Sequence, residues 1–233
     1  MRLSVGTSGY SYKEWVGSFY PPKTPANQML RYYGQRFRTV EINNTFYRMP
    51  QEPMLARWAS EVPEDFRFVL KAPKRITHER RLRDVRDETR HLLEVAAVLG
   101  ARLGPLLFQL PPFSKKDVEA LREFLQQLGS TRAAFEFRHE SWIDDEVHDT
   151  LRAHGAALCL ADTEDGEPPL VATAGWGYLR LRRPDYGDPE LSAWVDRVTQ
   201  QPWEEAFVFF KHEDEGKGPA LAERFLQLAG AAR

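Results

Sequence analysis

The chain has 233 residues and a formal net charge of −2, with 42% of its residues hydrophobic and 28% charged. This ordinary globular balance excludes a disordered or collagen-like polypeptide. A chain this long buries about 70% of its unfolded surface and needs no disulfide or metal staple. Near-neutrality excludes a global basic field for nucleic acid, so any anion site must be a local concentration of cations. Cys159 is the only cysteine, which rules out an internal disulfide and fits a reducing compartment. Met1-Arg2-Leu3-Ser4-Val5-Gly6 lacks the apolar core of a leader, and no apolar run approaches the ~18 residues of a membrane span. The expectation is a cytoplasmic protein with no membrane partner.

Apolar runs rich in Val, Ile, Leu and Phe predict strands at 3–7, 39–43, 66–71, 105–109, 133–138, 157–162, 177–182 and 206–212. Helical periodicity predicts helices at 27–37, 53–61, 84–99, 114–128, 144–154, 188–199 and 219–228. Ser114 is expected as an N-cap, Gly100 and Gly129 as C-terminal glycines, and Pro219 in a first helical turn. Strict alternation implies parallel strands joined by right-handed crossovers. The fold class is therefore α/β: a single compact (β/α)8 TIM-like barrel over 1–233. The segment 163–176, rich in Gly, Pro and acids, replaces the sixth helix with a loop. An open doubly wound sheet is the alternative.

In such a barrel the chemistry sits where the strands end. Alternation along 39–43 turns Val40 and Ile42 to the helices and points Glu41 and Asn43 inward. The same parity turns Glu136 and Arg138 inward, and Lys71, Gln109, Asp162, Arg180 and Lys211 occupy matching late positions. Cys159, opposite in parity to Asp162, is expected against the helices as an inert thiol. These polar residues converge either as a ligand-binding face or as an ion-pair lattice that closes the barrel. Glu41, Glu136, Asp162 and Lys71 are the catalytic candidates. Tyr10, Tyr12, Tyr47 and Trp142, on loops after strands one, two and five, are candidates for stacking on sugars or bases.

The runs Gly6-Thr7-Ser8-Gly9-Tyr10, Thr39-Val40-Glu41-Ile42-Asn43-Asn44-Thr45-Phe46-Tyr47-Arg48, Leu107-Phe108-Gln109-Leu110-Pro111-Pro112 and Glu136-Phe137-Arg138-His139 with Ser141-Trp142 carry a resemblance. They are similar to the YecE-like family, domain of unknown function 72, from residue 3 to about 182. The resemblance implies a TIM-like barrel with a site at its C-terminal face and supplies no activity. Two departures stand out: Arg182-Arg183 in place of an expected His-Gly, and Lys211-His212-Glu213 where relatives tend towards Asn-Asn or Asn-Asp.

Both departures add positive charge around strands seven and eight, where barrels often bind phosphate beside a helix N-terminus. Arg180, Lys211, His212 and Lys217 are the anion-binding candidates there, with His78 near the face after strand three. Asp214 and Glu215 offer these cations local partners instead. The histidines show no ligand-pair spacing, so neither a metal nor a cofactor is expected. The charged run 78–91 reads as a solvated helix face. The leading expectation is an enzyme acting on an anionic or sugar-containing small molecule, or on nucleic acid, by metal-independent acid–base or hydrolytic chemistry. The rival is a non-catalytic nucleic-acid or nucleotide binding module.

Overall fold

The computed structural model describes residues 1–164, 166 and 170–231. Eight strands form one parallel sheet: β1 (Arg2–Thr7), β2 (Thr39–Ile42), β3 (Arg67–Lys71), β4 (Leu103–Gln109), β5 (Ala133–Glu136), β6 (Ala157–Asp162), β7 (Trp176–Leu181) and β8 (Glu205–Phe210). Their order, β1-β8-β7-β6-β5-β4-β3-β2, brings β1 and β2 together at its two ends. A parallel bridge between Ser8 and Glu41 joins those ends, and the Gly9 amide donates to the Glu41 carbonyl at 2.7 Å. The sheet is thus a nearly closed barrel, and the doubly wound alternative is set aside.

The closing seam is narrow because Gly6 has no side chain. A Cβ there would lie 2.2 Å from the Thr39 carbonyl oxygen. The Tyr33 hydroxyl enters the same seam. It accepts from the Thr7 amide at 2.9 Å and donates to the Thr39 carbonyl at 3.0 Å, standing in for a ladder hydrogen bond.

The helices α1 (Ala26–Arg36), α2 (Glu52–Glu61), α3 (Arg86–Ala96), α4 (Val118–Leu128), α5 (Asp145–Ala153), α6 (Asp188–Thr199) and α7 (Lys217–Ala231) alternate with the strands. In α4, Leu121, Phe124, Leu125 and Leu128 repeat at helical spacing and are all buried. Its N-cap is Asp117, which accepts from the Ala120 amide at 3.2 Å, rather than Ser114. The Ser114 carbonyl instead receives the Trp142 indole N–H at 2.7 Å. No helix stands between β6 and β7 among the described residues, in keeping with the expected loop; 165 and 167–169 of that segment lie outside the described residues. Among the described residues no helix is long and apolar enough to cross a membrane.

Strand alternation builds two cores. Outward residues such as Val40, Phe68, Phe108, Phe135, Leu179 and Val208 pack under the helices. Inward residues Val69, Leu107, Ala134, Cys159, Tyr178, Phe207 and Phe209 fill the barrel. Below them Glu205 takes Ser4 (3.1 Å), Arg2 (2.8 Å) and Arg132 (2.7 Å), closing the N-terminal end with a satisfied carboxylate. One layer above the apolar filling, towards the C-terminal end, the inward positions turn polar.

Candidate active site

Arg180 is central to that polar layer. It follows Tyr178 on β7 by two residues, so its side chain enters the barrel, where it is 2% exposed. Its Nη2 donates to Glu41 Oε1 at 2.9 Å and its Nη1 to Glu136 Oε2 at 2.5 Å, so one guanidinium bridges β2 and β5. Glu41 also accepts from Ser8 (2.7 Å), Asn43 (3.2 Å) and the Tyr178 hydroxyl (2.6 Å). Glu136 also accepts from Arg138 Nε at 2.9 Å, and Arg182 lies 3.8 Å away. Both carboxylates are enclosed, and every oxygen has a donor.

Enclosure by itself raises a carboxyl pKa, but here the guanidinium outweighs it. Burial opposes ionisation of Glu136, while Arg180 and Arg138 pull its pKa down to about 2. Glu41 is also held below its ordinary value: against burial stand Arg180, then the Tyr178 and Ser8 hydrogen bonds. Both glutamates are anions across the physiological range. Their environment suits a charge lattice and not proton donation.

The cations nearer the opening are differently placed. Lys71, the last residue of β3, points inward two positions after Val69. Its Nζ donates to the Gln109 side-chain oxygen at 2.7 Å and lies 4.3 Å from the centre of the Phe46 ring. Burial, followed by the nearby Arg180 charge, lowers its pKa to about 8. Arg182 and Lys211 are likewise lowered, first by burial and then by neighbouring guanidinium groups. His78 sits on the wide helical turn Arg75–Glu79 after β3, with its ring 4.8 Å from Phe46. Burial and Lys71 lower its pKa.

A cleft of about 740 Å³ opens on the β5–β6 side of this layer, lined by Glu136, Arg138 and Arg182 together with Phe137, Trp142 and Cys159. It exists because β5 and β6 pair only at Ala134–Ala157 and Phe135–Leu158 and then diverge. Tyr47 stands 75% exposed on the loop after β2.

Several sequence expectations need correction. Asp162 does not join the converging residues. In β6 it is Cys159 that faces the barrel interior, and Asp162 lies outside the wall, accepting from Arg183 Nε (2.8 Å) and the Tyr186 hydroxyl (2.9 Å). Lys217 pairs with Asp185 at 3.1 Å and donates to the Pro184 carbonyl, and His212 Nε2 donates to the Arg183 carbonyl at 2.5 Å. Gly218 packs so tightly on His212 that a Cβ would lie 2.7 Å from its carbonyl oxygen. The start of α7 is therefore packed shut by His212 and does not offer an open phosphate cradle.

The aromatic candidates are also divided. Trp142 is a buried wall, stacked on Phe137 at 4.3 Å with an interplanar angle of 7°. Tyr12 folds back to donate to the Ser8 carbonyl at 2.8 Å, and Tyr10 packs towards α1 with its ring 6.3 Å from that of Tyr33. Tyr47 alone of these four is left largely open. The residues that come together are Glu41, Asn43, Lys71, Gln109, Glu136, Arg138, Arg180 and Lys211. Sequence reading missed two members of this layer, Ser8 and Tyr178. Tyr178 is visible only as Arg180 minus two on the same strand. Among the described residues no cluster of His, Cys, Asp and Glu is placed to hold a metal ion.

Comparisons with known proteins agree with this architecture. The chain is 25% identical to the UPF0759 protein YunF of Bacillus subtilis, over 97% of this chain and 94% of that protein. It is 31% identical to the UPF0759 protein YecE of Escherichia coli, over 59% of this chain and 48% of that protein. The crystal structure of a DUF72 family protein from Thermotoga maritima superposes with a TM-score of 0.82 at 27% identity, covering 99% of this chain and 100% of the other. A second one, from Enterococcus faecalis, shares the fold at 18% identity with a TM-score of 0.82, over 98% and 95% of the two chains. The family model described as "Protein of unknown function DUF72" matches residues 4–233. With a barrel that superposes on solved members from end to end, this chain belongs to the DUF72 family.

Proposed function

We propose that this protein is an enzyme that binds a small anionic substrate, a phosphate ester or a carboxylate of sugar-like size or smaller, at the C-terminal mouth of the barrel. The observation that carries this reading is an imbalance of charge. Among the described residues two carboxylates, Glu41 and Glu136, share this layer with five cations: Arg180 bridges both acids and Arg138 also pairs with Glu136, and Lys71, Arg182 and Lys211 leave positive charge in excess around the opening. Burial and mutual repulsion lower the pKa of Lys71, Arg182 and Lys211, and the attraction of an anion among them offsets both effects.

Within this reading the two glutamates position Arg180, and proton traffic near neutral pH falls to Lys71. The exposed Tyr47 ring offers a sugar or base a face at the rim. Nothing in this chemistry calls on a cofactor. Titration calorimetry with inorganic phosphate tests the proposal. Saturable binding that is lost in Arg138→Gln and Arg182→Gln supports it; no binding, or binding that both variants leave intact, overturns it. Tight binding of a single-stranded oligonucleotide with a steep salt dependence, in place of phosphate, would favour a nucleic-acid module.

A further inference from the structure

Lys71 differs from Arg180 and Arg138 in what it touches. Arg180 and Arg138 each contact a carboxylate, whereas Lys71 Nζ donates to an uncharged amide oxygen, that of Gln109, at 2.7 Å. Gln109 is 4% exposed and held in register at the end of β4, so the amine is aimed by a fixed acceptor. The Phe46 ring, 4.3 Å away, covers another side of the amine and keeps water from it. An amine that is aimed, partly desolvated and, among the described residues, not in contact with a carboxylate is the arrangement that activates lysine as a nucleophile, most of all beside another cation. Arg138 and Arg182, after β5 and β7 on the same rim, supply an anchor for an anionic group.

We propose that the Lys71 ε-amine condenses with the carbonyl carbon of a small, anion-bearing aldehyde or ketone to form an imine at the barrel mouth. This inference rests on the anion-binding reading above and names the reactive group of the substrate. In the first step the Nζ lone pair forms the C–N bond, the carbonyl π electrons move to oxygen, and the proton leaving nitrogen balances the one gained there. In the second step the carbinolamine C–O bond breaks, oxygen leaves as water with an added proton, and nitrogen loses its remaining proton to give the neutral imine. No oxidant or further reactant is required. His78 packs on the same Phe46 ring as Lys71, with Nδ1 held by Thr77 at 2.9 Å, and in this proposal the imidazole carries the proton to the departing oxygen. Burial lowers the pKa of both Lys71 and His78, which keeps a neutral amine and a neutral imidazole available near pH 8.

The test is reductive trapping. The intact protein is incubated with sodium cyanoborohydride and either pyruvate, a carboxylate probe, or dihydroxyacetone phosphate, a phosphate probe. Adducts are then mapped by peptide mass spectrometry. The expected result is one reduced adduct on Lys71, formed ahead of the exposed Lys13, Lys23 and Lys116, suppressed by excess inorganic phosphate and falling to background in Lys71→Arg. The preferred probe identifies the anionic group. Gln109→Leu, which keeps Lys71 but removes its acceptor, is expected to slow trapping while circular dichroism stays unchanged. Labelling spread evenly over exposed lysines, or no Lys71 adduct with either probe, overturns the imine. Phosphate binding retained in that outcome leaves the anion reading standing, whereas its absence in the unmodified protein removes both.

Discussion

Lys71 Nζ and the Gln109 side-chain oxygen, 2.7 Å apart, join the ends of β3 and β4 through a contact between a cation and a neutral acceptor. Among the described residues no carboxylate touches the ammonium, so burial and the Arg180 charge outweigh the more distant pull of Glu136 and Glu41. With reductively ¹³C-methylated protein, the Lys71 resonance is expected to titrate near 8, apart from the other lysines, and to move upward on addition of phosphate. It should vanish in Lys71→Arg. A single unresolved titration near the ordinary lysine value would show that the amine is solvated.

The same depressed pKa has a consequence for stability. Between about 8 and the ordinary value of 10.5, the unfolded chain holds the Lys71 proton while the folded chain has released it. Unfolding therefore takes up a proton, and the Lys71 contribution to stability rises with pH across that window. The increment in denaturation midpoint from pH 8 to 10 should be smaller in Lys71→Met than in the unmodified protein.

Glu136 behaves in the opposite sense. Its folded pKa of about 2 lies below the ordinary 4.5, so its stabilising contribution is complete above 4.5 and is lost as pH falls towards 2. Urea unfolding from pH 5 to pH 2.5 should show a shallower fall in Glu136→Gln than in the unmodified protein, although the variant is less stable at pH 7. Equal slopes would mean that the carboxylate is not held by the guanidinium.

Removing Arg180 should be more costly than removing either glutamate. Arg180→Met strands two enclosed carboxylates, and breaking a buried pair of this kind costs about 3–5 kcal/mol. Chemical denaturation should show a loss on that order at pH 7 that shrinks on acidification, because protonation relieves the stranded charges. A loss below 1 kcal/mol at pH 7 would show that water reaches the triad.

The strand count, the lack of a helix between β6 and β7 among the described residues, and the inward parity of Glu41 and Glu136 were legible in the sequence, whereas Lys71 and Gln109 were marked only as polar residues that end apolar runs on β3 and β4. In β6 the alternation misleads: Cys159 and Ala161 carry no polar mark of the interior, and Asp162 is polar for an unrelated reason, its bond to Tyr186. The pairing of Arg180 with Glu41 and Glu136 joins residues 139 and 44 positions apart, and no local pattern encodes it. Lys217 looked available because Asp185, its partner, lies on a different loop. Trp142 looked like a stacking platform, but both Phe137 and the Ser114 carbonyl claim it.

Tyr33 at the seam gives a further expectation. Tyr33→Phe leaves the Thr7 amide and the Thr39 carbonyl without their partner in a buried place, which costs about 1–3 kcal/mol per orphaned group. Hydrogen exchange should speed up selectively at the Thr7 amide, with the β7–β8 amides unaffected. Uniform acceleration would mean that the seam does not open on its own.

The shared guanidinium also constrains how the sequence can drift. Changing Arg180 alone strands two carboxylates inside the wall, and changing either glutamate alone leaves part of the buried guanidinium without its acceptor, yet replacing all three with apolar residues of similar volume is tolerable in principle. A path of single substitutions between these two states passes through poorly folding intermediates. The triad can therefore persist through divergence by the cost of leaving it, so its retention in distant relatives would be no proof of a chemical role, whereas retention of Lys71, which has no such lock, would be.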